Sequence, residues 1–248
     1  MKRVELTGLA YSPWTERARW ALDHHRIDYR YAEHVPLLGE PVLRWKARRA
    51  GLSGRTTVPL LRGENTALMD SMDIIRWADV QGSGESLRAD SQTVADWLPA
   101  IEDGLSAVRA RVTAGVLADR AAQVASAKAA VPDLLAGVFA PVAVQGARFI
   151  ARKHRVDLDD REAHRSTCRS LAERMRKQIG GRTFADGERI GALDLLFCSF
   201  LQGIGPVGAP WMPLDPAIER VWTDAPLAEE FGDLLAWRDR LYSAHRTP

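Results

Sequence analysis

Tyr11-Ser12-Pro13-Trp14-Thr15-Glu16-Arg17-Ala18-Arg19-Trp20-Ala21-Leu22 decides the reading of this chain. Val4-Glu5-Leu6-Thr7 just upstream alternates apolar with polar, as a half-buried strand does. Ser12 has the side chain of a helix N-cap, and Pro13 suits the first helical position because its missing N–H would have no partner there. The stretch therefore predicts a strand that turns into a capped helix, with a hydroxyl at the positive end of the helix dipole. Such a place can hold and sharpen a thiolate.

Working outward, Ile27, Tyr29 and Tyr31 predict a second strand, and Pro41 to Ala50 a looser helix. Val58 to Leu61 and Ala67 to Met69 read as two short strands joined by the turn Gly63-Glu64-Asn65, and a helix follows from Ser71 to about Ala78. The order is βαβαββα, an α/β unit over residues 1–80. Gln81-Gly82-Ser83-Gly84-Glu85-Ser86 has the composition of a flexible connector, which puts a linker at 81–90. Beyond it, over 91–248, strand signals stop. Val94, Trp97, Leu98, Ile101, Leu105, Val108 and Val112 recur at three- and four-residue steps, one face of a long helix. Pro132 and Pro141 bracket or kink a second helical region, and His164, Cys168, Leu171, Met175 and Ile179 line a third that Gly180-Gly181 stops. Leu227 to Leu241 suggests a final helix.

Bulk properties exclude several classes. The 248 residues, 46% hydrophobic, can bury a sizeable core. A net charge of +2, from 34 basic against 32 acidic residues, gives no field that argues for nucleic acid or a membrane surface. Cys168 and Cys198, the only cysteines, make neither a disulfide framework nor a zinc pattern, so the sequence predicts no metal. With no apolar leader and no stretch approaching the ~20 apolar residues of a membrane span, the reading is a soluble cytoplasmic protein. Gly203-Ile204-Gly205-Pro206-Val207-Gly208 fits a dinucleotide-binding pattern literally, but it follows a helix and contains a proline, so it reads as a loop.

Four segments together resemble the cytosolic glutathione transferases. Ser12-Pro13-Trp14-Thr15-Glu16-Arg17-Ala18-Arg19 resembles the catalytic segment of the omega-type branch, Cys-Pro-aromatic-x-x-Arg-x-Arg, and also the serine branches such as zeta and theta. Thr57-Val58-Pro59 resembles the family's Val-Pro turn with a cis proline, Asp70-Ser71 its Glu/Gln-Ser pair, and Ile190-Gly191-Ala192-Leu193-Asp194 its Ser/Thr-x-x-Asp capping box with a hydrophobic staple. The resemblance implies a thioredoxin-like N-terminal domain, an all-helical C-terminal domain, glutathione as co-substrate and a homodimer.

The roles it implies have physical reasons. A thiol of pKa ~8.5 is a few per cent ionised at pH 7, and lowering that by ~2 units is worth ~2.7 kcal/mol. Ser12 would be the activating donor, with Tyr11 the other hydroxyl in reach of the role. Val58, turned outward by Pro59, would pair with the cysteinyl backbone of an extended peptide. Ser71 and the free N–H groups of its helix would take the γ-glutamyl carboxylate, and Asp70 the α-amine. Lys46, Arg48 or Arg49 would meet the glycine carboxylate, and residues near Trp14, Arg109 and Arg111 would border a small hydrophobic electrophile. Where the omega-type branch has cysteine this chain has Ser12, which cannot form the mixed disulfide of thiol transfer. Asp70 is one methylene short of Glu, and Gly191 stands at the capping Ser/Thr. The expected activity is conjugation or isomerisation through activated glutathione. The rival is a binding protein that keeps the fold without turnover, and a thiol-disulfide enzyme would need Cys168 or Cys198 at the site.

Overall fold

The computed structural model describes residues 3–128 and 131–247. Strand β1 (Val4–Gly8) leads into α1 (Pro13–His24), followed by β2 (Tyr29–Glu33), α2 (Glu40–Arg49), β3 (Leu60–Arg62), β4 (Ala67–Leu68) and α3 (Ser71–Gln81). The sheet order is β2-β1-β3-β4. β1 runs parallel to β2 and antiparallel to β3, with Leu6 opposite Leu61, and β4 closes the edge antiparallel to β3. β3 starts two residues later than Val58 because Pro59 has no N–H to give a ladder. Side chains on a strand alternate faces, so Leu61 joins the core formed with α1 and α3, while Leu60 faces Leu43 and Ala47 of α2 on the other side. This is the expected thioredoxin-like arrangement.

The rest is helical: α4 (Gln92–Ala118), α5 (Arg120–Lys128), α6 (Asp133–His154), α7 (Arg161–Ile179), α8 (Ala192–Leu201), α9 (Pro216–Trp222), α10 (Ala225–Glu230) and α11 (Gly232–His245). Every residue of α8 is buried, and it packs between α4, α1 and α11. Gly180 ends α7 in the left-handed conformation, φ 53°. Two helix expectations need correction. The region around Pro132 and Pro141 is a pair, α5 and α6, with Pro132 as the N-cap of α6 and Pro141 inside it. The single final helix is α10 and α11, broken at Phe231, whose buried ring closes the core at the junction.

A third correction concerns α6. By length and composition alone Leu134–His154 is apolar enough to cross a bilayer, contrary to the sequence reading. Here it packs on α5 and α4 through Ala136, Ala140, Ala147 and Ala151, leaving Leu134, Val138 and Phe139 exposed.

The capping segment of α8 explains its own irregularity. Asp194 is fully buried and accepts hydrogen bonds from Gly191 N–H (2.8 Å) and Ala185 N–H (2.7 Å). A Cβ on Gly191 would lie 2.5 Å from Arg88 Nη2. That guanidinium donates to the carbonyls of Asp186 and Arg189 at 2.9 and 3.0 Å, so it occupies the space a Ser or Thr would need. Arg88 ties the connector after α3 to α8. The chain end is also anchored: the buried Arg246 pairs with Glu16 (2.8 Å) and Asp23 (2.5 Å) of α1.

Candidate functional site

Helix α1 starts where the sequence predicts. Ser12 caps it with extended backbone, its Oγ accepting from Thr15 N–H at 3.5 Å. Thr15 in turn presses against the end of β1, where a Cβ on residue 8 would sit 2.3 Å from Thr15 Cγ2, so only glycine lets the strand approach the helix this closely. Asp70 caps α3, its Oδ1 accepting from Met72 N–H (2.7 Å) and Asp73 N–H (3.2 Å). The Val58–Pro59 peptide is cis.

These segments converge. Ser12, Tyr11, Val58, Pro59, Asp70 and Ser71 all line one cavity of about 320 Å³ at the N-termini of α1 and α3. Among the described residues, Val58 N–H and C=O and Ser71 N–H are left without partners. Ser71 Oγ accepts a 2.8 Å hydrogen bond from Arg17 Nε, which leaves its own proton to be donated. Arg17 is 1% exposed, and its Nη2 pairs with Glu102 of α4 at 2.5 Å; the other Glu102 oxygen accepts from Trp14 Nε1 at 2.7 Å. One carboxylate of the helical half thus fixes two side chains of α1.

Tyr11 shares the cavity, its ring set edge-on against Trp222 with centroids 5.6 Å apart. Burial, reinforced by the charge of Glu33, pushes its phenol up to about 12, so it stays protonated at neutral pH. Neither cysteine lines the cavity. Both are buried, which pushes the Cys168 thiol up to about 11 and that of Cys198 well above its usual value. A thiol-disulfide centre has no support here.

The basic residues of α2 are placed differently from expectation. Lys46 is 2.9 Å from Glu5 and donates to Thr7 Oγ1 at 3.0 Å, on the sheet. Arg49 lies over the Trp45 ring, and Arg48 borders an adjoining cavity with Arg44, Arg55 and Arg152. Arg111 bonds the Trp222 carbonyl (2.6 Å) and faces Asp224, away from the main cavity. Arg109 does line it, over Trp14 with 4.2 Å from guanidinium carbon to ring centroid.

The helical half supplies a wall and a roof of which the sequence reading named only Arg109. Glu102, Ser106, Arg109 and Thr113 make a polar stripe on one face of α4, a signal readable in the sequence once that face is known to meet a cavity. Phe149, Ile150, Lys153 and His154 of α6 close the other side, with Lys153 latched to Glu40 at 2.6 Å. Periodicity alone gives α6 no functional mark, because it does not report which face of the helix meets the cavity.

The glutathione S-transferase N-terminal domain family matches residues 11–81. Residues 11–81 carry this domain, and the chain as a whole has the glutathione transferase fold. Solved structures share the fold over nearly the whole length of this chain. Glutathione transferase GSTFuA3 of Phanerochaete chrysosporium is 12% identical with a TM-score of 0.61, covering 100% of this chain and 99% of its own. A glutathione S-transferase domain-containing protein of Marinobacter aquaeolei VT8 is 18% identical, TM-score 0.61, covering 98% and 100%. A glutathione S-transferase of Methylobacterium radiotolerans, solved with glutathione sulfonate, is 16% identical, TM-score 0.51, covering 98% and 91%. No curated protein matches the chain.

Proposed function

We propose that this chain is an active glutathione transferase in which Ser12 donates a hydrogen bond to the bound thiolate. The observation that carries the reading is the convergence of Ser12, Val58 and Ser71, from three separate segments, on one cavity closed by the helical half. The unpaired Val58 backbone suits an added peptide strand, and the Ser71 N–H and hydroxyl, with Arg17 behind them, suit a carboxylate. Asp70 keeps a second oxygen for the α-amine after capping α3. That a neighbour of the same fold was solved with glutathione sulfonate agrees with this use of the site. In this reading residues 1–80 bind glutathione, 81–90 connect, and 91–248 shape the electrophile pocket, in a cytoplasmic homodimer. With an aryl halide, the sulfur anion forms a C–S bond, halide leaves, and the thiol proton goes to solvent.

The Ser12→Ala protein tests it. Loss of one donor aimed at developing or resident anionic charge costs on the order of 100-fold in rate. The expected result is a kcat about 100-fold lower with glutathione retention intact, and a bound-thiol pKa, followed by thiolate ultraviolet absorbance, that rises by about 2 units. An unchanged thiol pKa overturns the role of Ser12. Tyr11 is the second reading, favoured by its phenol in the same cavity, and Tyr11→Phe then carries the loss instead. Retention on immobilised glutathione without turnover in the unmodified protein favours the binding-protein alternative.

A further inference from the structure

One end of the cavity carries an arginine that no carboxylate pairs with among the described residues. Arg17, Arg19, Arg111, Arg238 and Arg246, buried or partly buried around this core, each lie near a carbonyl or a carboxylate. Arg109 is different. Its guanidinium is half-buried and lines the cavity, and its contact is the face of Trp14. Among the described residues it has no hydrogen bond and no carboxylate within ion-pair distance. Glu102, the nearest acid, is already held by Arg17 and Trp14.

Other basic residues stand nearby on different segments. Arg55, in the loop before β3 and lining the adjoining cavity, donates to the Lys153 carbonyl of α6 and has no carboxylate partner among the described residues. His154 and Lys153 project from α6, Lys153 neutralised by Glu40. The groups feel one another. Burial first, then Arg109, Arg55 and Lys153, hold His154 down at about 4, and burial with Arg55 pulls Arg109 down to about 10 against the pull of Glu102. A half-buried guanidinium with no protein acceptor keeps its donors for a ligand, and an oxyanion is the group that satisfies them, bidentate and planar. The walls beside it are apolar: Leu105, Val108 and Val112 of α4, and Phe149 and Ile150 of α6.

We propose that the second substrate is an organic anion, an electrophile with an apolar body and a carboxylate or similar oxyanion received by Arg109, with Arg55 and His154 beside it. This rests on the glutathione-transferase reading of the cavity. Glutathione fills the Ser12, Val58 and Ser71 end, the apolar body lies against α4 and Phe149, and the anion ends at Arg109. Neutral electrophiles would leave the arginine unpaired on closure, so charge, more than size, sets the preference.

Unreactive conjugates test this separately from catalysis. Binding of S-methylglutathione, of S-(3-carboxybenzyl)- and S-(4-carboxybenzyl)glutathione, and of the matching carbamoyl compounds is measured by calorimetry. The expected result is that at least one carboxylate binds tenfold or more tighter than its neutral carbamoyl partner. Arg109→Met, which keeps a side chain of similar length against Trp14, should shrink that preference below threefold, and the exposed Arg55→Gln should reduce it in part. Measurable carbamoyl-conjugate binding by each variant shows that it is folded. Equal affinity for carboxylate and carbamoyl forms, or a preference that survives Arg109→Met, overturns the proposal while leaving the glutathione reading in place. Failure of S-methylglutathione to bind the unmodified protein overturns both.

Discussion

Replacing Asp194 by asparagine should change how stability depends on pH, and by an amount the structure specifies. The carboxylate is fully buried at the start of α8, and burial pushes it up to about 6 from an ordinary 3.8, against the opposing hydrogen bonds from Ala185 and Gly191 and the charge of Arg88. The folded value lies above the unfolded one, so between these two pH values the folded state holds a proton that the unfolded chain has released. The group's stabilisation is therefore complete below about pH 4 and is lost as pH rises through about 6. At about 1.4 kcal/mol per pH unit, the loss amounts to about 3 kcal/mol. Asp119, Asp215 and Asp233, whose pKa values are lowered by hydrogen bonds and nearby cations, tilt the curve the other way, but they are common to both proteins and cancel in the difference. Asparagine leaves one of the two backbone N–H groups without an acceptor, a pH-independent cost of about 1–3 kcal/mol. Urea unfolding of both proteins from pH 4 to 8 gives the difference directly. The stability advantage of the unsubstituted protein should shrink by about 3 kcal/mol across that range. A difference that is flat, or that grows with pH, refutes the reasoning and means the two hydrogen bonds outweigh burial at this carboxylate.

Two further substitutions probe how the site is supported. Gly191→Ser, which completes the Ser-x-x-Asp box, should lower stability by about 1 kcal/mol, because displacing Arg88 from two carbonyls costs more than the few tenths a serine cap gains over glycine. Chemical denaturation should show the penalty vanishing in an Arg88→Ala background, and a stabilised single variant contradicts the packing argument. Arg17→Met should weaken glutathione binding about tenfold, in line with a lost charge-assisted hydrogen bond of about 1.5 kcal/mol, while leaving the bound thiol's ionisation where it was. An unchanged affinity removes Arg17 as the group that orients Ser71.

The α/β half was legible because its signals are local. Ser12 before Pro13 and Asp70 before Ser71 act through backbone groups within a turn of themselves, and α1 and α3 start where the sequence places them. The departures share a cause as well. Charge and position in the chain point Lys46 and Arg49 toward a carboxylate ligand, but Glu5 and Trp45 are what they meet. Leu227 to Leu241 carries a continuous apolar period, but Phe231 turns into the core and breaks the helix there.

By itself, then, the sequence determined the order of elements over residues 1–80, the capped start of α1 with its hydroxyl, and a match of residues 11–81 to the glutathione S-transferase N-terminal domain. Tertiary structure alone decided what stands opposite that hydroxyl. Glu102 reaches Arg17 across 85 residues, Lys153 reaches Glu40 across 113, and Arg246 returns to Glu16 across 230. Arg109, meanwhile, is brought to the cavity with no acid to meet it. Periodicity reports which face of a helix is apolar, because that follows from backbone geometry. It carries no information on which distant side chain a charged group will meet, because that depends on how the helices pack on the sheet.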